Sequence, residues 1–122
     1  MNRDKLTEKI IGAAIEAHKI LGPGLLESIY EEALCYEFDL RGIHYDRQIE
    51  IDLDYKGHVI KGQRLDLLVD REVIVEIKSV RSLPDIAFAQ TLSYLKAARL
   101  KRALLINFGV EVLTRGIKRI SL

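Results

Sequence analysis

Apolar residues recur every three or four positions at the start of the chain. Leu6, Ile10, Ala13, Ala14, Ala17 and Leu21 form one stripe, the mark of an α-helix with a single buried face. Gly22-Pro23-Gly24 then stops the helix. The same period resumes from about Leu25 to Arg41, with Leu26, Ile29, Ala33, Tyr36 and Leu40 as the expected inward stripe and Gly42 just past the end. From Arg47 the period shortens to two: Ile49, Ile51, Leu53 and Tyr55 alternate with Gln48, Glu50, Asp52 and Asp54, which predicts a strand with one wet face near a sheet edge. Lys56-Gly57 turns the chain into His58-Val59-Ile60. The runs 64–69 and 73–78 then form a hairpin around Asp70-Arg71-Glu72, and their nearly continuous apolar residues predict burial on both faces at the centre of the sheet. Ser82-Leu83-Pro84-Asp85 has the form of a capping box, opening a third helix that runs to about Ala98. A buried strand over 103–108 follows, and a strand–helix–strand connection of this length favours a parallel pair with a right-handed crossover. The segments 110–113 and 117–120, joined through Thr114-Arg115-Gly116, are expected to add one or two short strands.

These elements describe an α/β chain with a mixed sheet. Its 122 residues suit a single domain spanning 1–122, and the balance of apolar and charged residues is that of a soluble globular protein. No apolar run is long enough for a bilayer, and the opening residues lead into an amphipathic segment, so a cytoplasmic protein with no membrane partner is expected. Cys35 is the single cysteine; it can form no internal disulfide and reads as packing. The net charge of +1 hides a gradient: residues 1–54 carry 6 basic against 12 acidic side chains, 55–95 carry 6 against 5, and 96–122 carry 7 against 1. A basic tail of that kind can attract phosphate, although solvated faces of ordinary elements would show the same counts.

Charged residues inside apolar strands need a reason, because an ionised group buried without a partner costs many kcal/mol. Asp66, Glu76 and Lys78 are such residues. Side chains alternate along a strand, so Glu76 and Lys78 project from one face, and Asp66 on the preceding strand meets them if the register sets it beside Glu76. Two carboxylates in one place repel, and a hard divalent cation such as magnesium relieves the repulsion. Such an ion polarises a phosphodiester oxygen and lowers the pKa of a bound water, while Lys78 either orients that water or stabilises charge building on phosphorus. The competing reading is a structural ion pair of Lys78 with one of the acids.

Asp66, followed after nine residues by Glu76-Ile77-Lys78, resembles the D...(D/E)-x-K signature of the PD-(D/E)XK nuclease superfamily, and Gln90-Thr91-Leu92-Ser93-Tyr94 resembles the Q-x-x-x-Y element of RecB-like nucleases. Gly24-Leu25-Leu26-Glu27-Ser28-Ile29-Tyr30 is similar to the motif that names the GxxExxY protein family, as is the strand around Asp66. The resemblance implies a restriction-endonuclease-like core, αβββαβ, with a mixed central sheet flanked by helices. It implies metal ligation by Asp66, Glu76 and the carbonyl of Ile77, with Glu27 as a further acid reaching the metal from a helix. It also implies catalytic parts for Lys78, Gln90 and Tyr94, Mg2+ (or Mn2+) as cofactor, and nucleic acid as substrate, DNA before RNA. So small a core would use a second copy or a partner subunit for grip. A non-catalytic nucleic-acid-binding or protein-interaction module on the same fold is the alternative.

Other signals read more simply. With Gly24 as N-cap, Glu27 falls at the third helical position, where a carboxylate gains about 0.3–1 kcal/mol from the helix dipole with no catalytic duty. Gln90 and Tyr94 lie four apart on one helix face and fit a polar flank as well as a site. Gly22-Pro23-Gly24 lacks the Lys-Ser/Thr ending of a phosphate loop. His18, His44 and His58 have no metal-ligand spacing.

Overall fold

The change of period divides the chain into a helical front and a sheet. A computed structural model describes residues 3–122, with side chains from Lys5 onward. Helix α1 spans Arg3–Leu21 and α2 spans Glu27–Arg41; strands β1 (Tyr45–Tyr55), β2 (His58–Val69) and β3 (Val73–Lys78) follow, then α3 (Asp85–Ala98), β4 (Arg102–Asn107), a 3-10 turn over Leu113–Gly116, and β5 (Ile117–Ser121). The five strands lie in the order β1-β2-β3-β4-β5, antiparallel throughout except for the parallel pair β3–β4. That is the mixed sheet of a restriction-endonuclease-like fold, with β1 at an edge and β3 at the centre as the alternation implied.

Helices cover both faces. Val73, Val75 and Ile77 of β3 and Leu104 and Ile106 of β4 pack with Ile10, Ala13, Ala14 and Ala17 of α1 and Tyr30, Leu34 and Phe38 of α2. The opposite face places Ile74 and Ala103 against Leu95 of α3. Strands buried on both sides read as continuous apolar runs for this reason. No helix among the described residues is long and apolar enough to cross a membrane.

Several expectations need correction. The inward face of α2 is Tyr30, Glu31, Leu34, Cys35 and Phe38. Of the stripe expected there, Ala33 packs partly against the core, while Leu26, Tyr36 and Leu40 point outward, 71%, 63% and 64% exposed. This helix is apolar on two sides, and only packing selects between them. Helix α2 begins at Glu27 with Leu26 as N-cap, so Glu27 is the first helical residue and not the third. Helix α3 has Pro84 as N-cap with no side-chain cap bond, so the capping box does not form. Residues 110–112 bend into the 3-10 segment, which takes Leu113, so no strand forms over 110–113.

Strand β2 is one continuous element where two pieces were expected. It pairs with β1 along nearly its whole length but with β3 only over Leu67–Val69, so its first three-quarters leaves the sheet with β1 as a two-stranded arm. The arm also turns over. Leu67, Val69 and Tyr45 pack on the α1–α2 side, yet Leu65, Ile49 and Ile51 pack on the α3 side, although a regular strand keeps such positions on one face. The exchange occurs at Gln48, whose φ of 51° is left-handed and breaks the pleat. Asp66 sits across from it on β2, between Leu65 and Leu67, which pair with Ile49 and Arg47.

Candidate active site

Asp66 and Glu76 occupy the point where β2 and β3 part. The ladder ends at Leu67↔Val75, and one step further the backbone groups are satisfied by side chains. The Glu76 carboxylate accepts the N–H of Asp66 at 3.0 Å, and the Asp66 carboxylate accepts the N–H of Ile77 at 2.8 Å. Each acid thus stands in for a missing ladder bond, and both are turned into the split. Glu76 shares its strand face with Ile74, the face toward α3, and Lys78 follows two residues on.

The electrostatics are those of crowded, dehydrated acids. Burial pushes Glu76 up from 4.5 to about 8; the charge of Asp66 adds to the rise, and the Asp66 N–H and Lys78 oppose it. Asp66 is raised too, chiefly by burial, against the Ile77 N–H, with Glu31 and Glu27 adding to the rise. Tyr94 on α3 is raised by burial and then by the charges of Glu76 and Asp66. Lys78 is half-buried, and no ion pair with either acid forms within 4.0 Å among the described residues. The structural ion pair weighed from the sequence is therefore not formed, and the lysine nitrogen is not committed to either carboxylate.

The remaining expected residues fall at varying remove. Gln90 is exposed one helical turn before Tyr94. Glu27 is exposed at the start of α2; its charge reaches Asp66, but no group of three His, Cys, Asp or Glu gathers closely enough to hold a metal among the described residues. What could hold a cation is the pair Asp66 and Glu76 with the backbone carbonyl of Ile77. Two raised carboxylates facing one split are the donor set that a hard, partly hydrated divalent ion suits, because the ion removes the repulsion and its water completes the shell.

A residue that the sequence motifs do not single out shapes the site from α2. Glu31 is 8% exposed, four residues beyond Glu27 on the same helix face. Its carboxylate accepts from Arg47 Nε at 3.1 Å and from Gln48 Nε2 at 3.0 Å, and Arg47 also reaches Glu32 at 3.3 Å. The Gln48 bond holds the residue at which β1 and β2 turn over, and hence the presentation of Asp66. The four-residue spacing from Glu27 was the available signal; the partners on β1 had none.

The loops around the site are tied as firmly. Tyr30, the tyrosine of the G-x-x-E-x-x-Y segment, is fully buried and stacks on Phe108 with ring centroids 4.5 Å apart. Its hydroxyl donates to the Gly22 carbonyl and accepts the Leu25 N–H at 3.1 Å. It pins the turn that leads into α2, a turn in which Gly24 has a φ of 96°. Ser79 donates to the Leu25 carbonyl at 2.6 Å, joining that turn to the end of β3. Asn107, the register partner of Lys78, brackets Val80: its Oδ1 accepts the Val80 N–H at 3.0 Å and its Nδ2 donates to the Val80 carbonyl at 2.9 Å. Gly109 lies so close that a Cβ there would stand 2.3 Å from the Val80 oxygen. Of the histidines, His18 bonds the Val110 carbonyl at 2.8 Å and is a satisfied core residue.

A family model described as the PD-(D/E)XK nuclease superfamily matches residues 4–120. No curated protein and no solved structure matches significantly.

Proposed function

The chain belongs to the PD-(D/E)XK nuclease superfamily, and from that premise we propose that it is a magnesium-dependent nuclease that cuts phosphodiester bonds of DNA in preference to RNA, as a single domain over residues 1–122. The observation that carries the reading is the pair of carboxylates turned into the split between β2 and β3, where burial and the charge of Asp66 raise Glu76 to about 8 and a cation would relieve the crowding. Asp66, Glu76 and the Ile77 carbonyl would hold the ion, with manganese able to replace magnesium. When bound, the ion supplies a polarised phosphodiester oxygen and a water of lowered pKa. Lys78, on the same strand face as Glu76, orients that water or stabilises the negative charge that grows on phosphorus. Tyr94, with Gln90 one turn before it, borders the substrate from α3. Glu27 acts on Asp66 through its charge, and Glu31 acts by holding Gln48. The G-x-x-E-x-x-Y segment and the strand around Asp66 support a place in the GxxExxY family.

The partner proposed for grip is a second copy seated on the outward face of α2. Taking roughly 200 Å2 for each such side chain, Leu26, Ile29, Tyr36 and Leu40 leave on the order of 500 Å2 exposed, over half of the roughly 800 Å2 each side of a standard interface contributes. About Ala33 the row is nearly self-complementary: an antiparallel α2 sets Leu26 against Leu40 and Ile29 against Tyr36, the arrangement a two-fold axis requires.

The test is purified protein with magnesium or manganese on DNA and RNA. Cutting should be abolished in Lys78→Ala with its unfolding curve unchanged, and magnesium binding by calorimetry should be lost in Asp66→Ala. Equal cutting by Lys78→Ala would overturn the assignment. Salt-dependent binding with no cleavage under any metal would establish the non-catalytic module instead.

A further inference from the structure

The geometry points to a second phosphate site: a basic hollow beyond the carboxyl ends of β3 and β4 that seats a backbone phosphate of the DNA flanking the bond to be cut. This rests on the nuclease reading above and adds the element that the acid pair lacks, a place that grips an anion. The hollow measures about 290 Å3 and is lined by Arg81, Arg115 and Lys118 with Ser82, Phe88 and Asn107. The three cations come from three separate elements: the loop after β3, the 3-10 turn and β5. Folding therefore converges them, and they are not a run in the chain.

All three are exposed, and none forms an ion pair within 4.0 Å among the described residues. Asp85 in the first turn of α3 and Glu111 are the nearest acids in sequence, and neither lines the hollow. Three like charges around one concavity repel, and an anion with several acceptor oxygens relieves them; a phosphate meets two arginine forks and one ammonium. Ser82 adds a hydroxyl donor. The seat is rigid at its base, because a Cβ on Gly116 would stand 2.5 Å from the Asn107 carbonyl, so the turn carrying Arg115 is pressed onto the end of β4.

Position connects the hollow to the chemistry. Asn107, in its wall, is the register partner of Lys78, and Arg81 follows Lys78 by three residues. In open α/β sheets ligands approach the carboxyl ends of parallel strands, and β3–β4 is the parallel pair here. A strand whose scissile phosphate meets Asp66 and Glu76 thus runs toward a neighbouring phosphate in the hollow. The same residues explain a part of the basic tail, of which Arg115 and Lys118 are members.

The experiment measures fluorescence anisotropy of a labelled DNA duplex of arbitrary sequence, in EDTA so that nothing is cut, across a potassium chloride series. Arg115→Ala with Lys118→Ala should weaken binding uniformly across sequences and lower the log–log salt slope by about 1, for the one phosphate contact the hollow supplies. Arg81→Ala alone should lower it in the same direction and by no more than about 1, since it shares that phosphate. Removing two exposed cations of α1, Lys5→Ala with Lys9→Ala, should leave the slope less affected. An unchanged slope in the Arg115/Lys118 variant, or an equal fall in the α1 variant, would overturn the site, as would a wild-type chain that does not bind the duplex. Magnesium calorimetry separates this outcome from failure of the nuclease reading. Normal metal binding and cutting with an unchanged slope refutes the hollow alone, whereas a slope that falls as stated in a protein that never cuts refutes the nuclease alone.

Discussion

Replacing Glu76 with glutamine should stabilise the metal-free protein at alkaline pH while removing its affinity for magnesium. Glu76 is 6% exposed, and its carboxyl is pushed up from 4.5 to about 8, first by burial and then by Asp66. Between those values the unfolded chain has released a proton that the folded chain keeps, so stability falls as pH rises, by about 1.4 kcal/mol per pH unit. The loss is absent below 4.5 and complete above about 8, where it reaches on the order of 5 kcal/mol for this residue alone. Glutamine never ionises, yet its Oε1 can still accept the Asp66 N–H that Glu76 now accepts at 3.0 Å, so the variant escapes the loss without leaving that donor unpaired. Thermal unfolding in EDTA from pH 4 to pH 9 is the assay. Wild type and Glu76→Gln should melt together at the acid end and diverge with rising pH, the variant melting on the order of 10 °C higher at pH 8.5. Magnesium should then reverse the order: the wild type gains stability with added ion, more so toward pH 8 as the proton is easier to displace, and the variant gains little. Parallel melting curves across the range, or a variant less stable than wild type in EDTA at pH 8.5, would refute the picture of a buried acid pair awaiting a cation.

Gln48→Gly should relieve the left-handed backbone but sever the bond to Glu31, leaving stability within about 1 kcal/mol of wild type while kcat falls and KM for DNA holds, because Asp66 is no longer held in place; unaltered kcat would refute the positioning role. Tyr30→Phe should cost about 1–3 kcal/mol in denaturant unfolding, since the Leu25 N–H loses its acceptor and the Gly22 carbonyl its donor; no loss would mean that the motif tyrosine does not pin the turn. Sedimentation should find the wild type at twice the chain mass at micromolar concentration and Leu40→Glu at the chain mass, both folded; a monomeric wild type would refute the α2 interface.

Periodicity alone determined most of the elements. The helical stripe of α1, the alternation of β1 and the apolar runs of β3 and β4 are local patterns, and local patterns are what burial on one or both faces leaves in a sequence. The parity of Glu76 and Lys78 is equally local, which is why the sequence by itself puts two members of the site on one face. The tertiary structure decided what depends on contacts between distant segments. Helix α2 is apolar on two sides, so its buried face was chosen by the sheet it packs against. The arm of β1 and β2 exchanges faces at Gln48, and nothing in the alternation of Ile49, Ile51 and Leu53 records that event. Glu31 owes its partners to β1, sixteen and seventeen residues away, and Arg81, Arg115 and Lys118 meet only because β5 returns beside β4. A side chain's period is written in its neighbours along the chain, whereas its partners across space are set by register and packing.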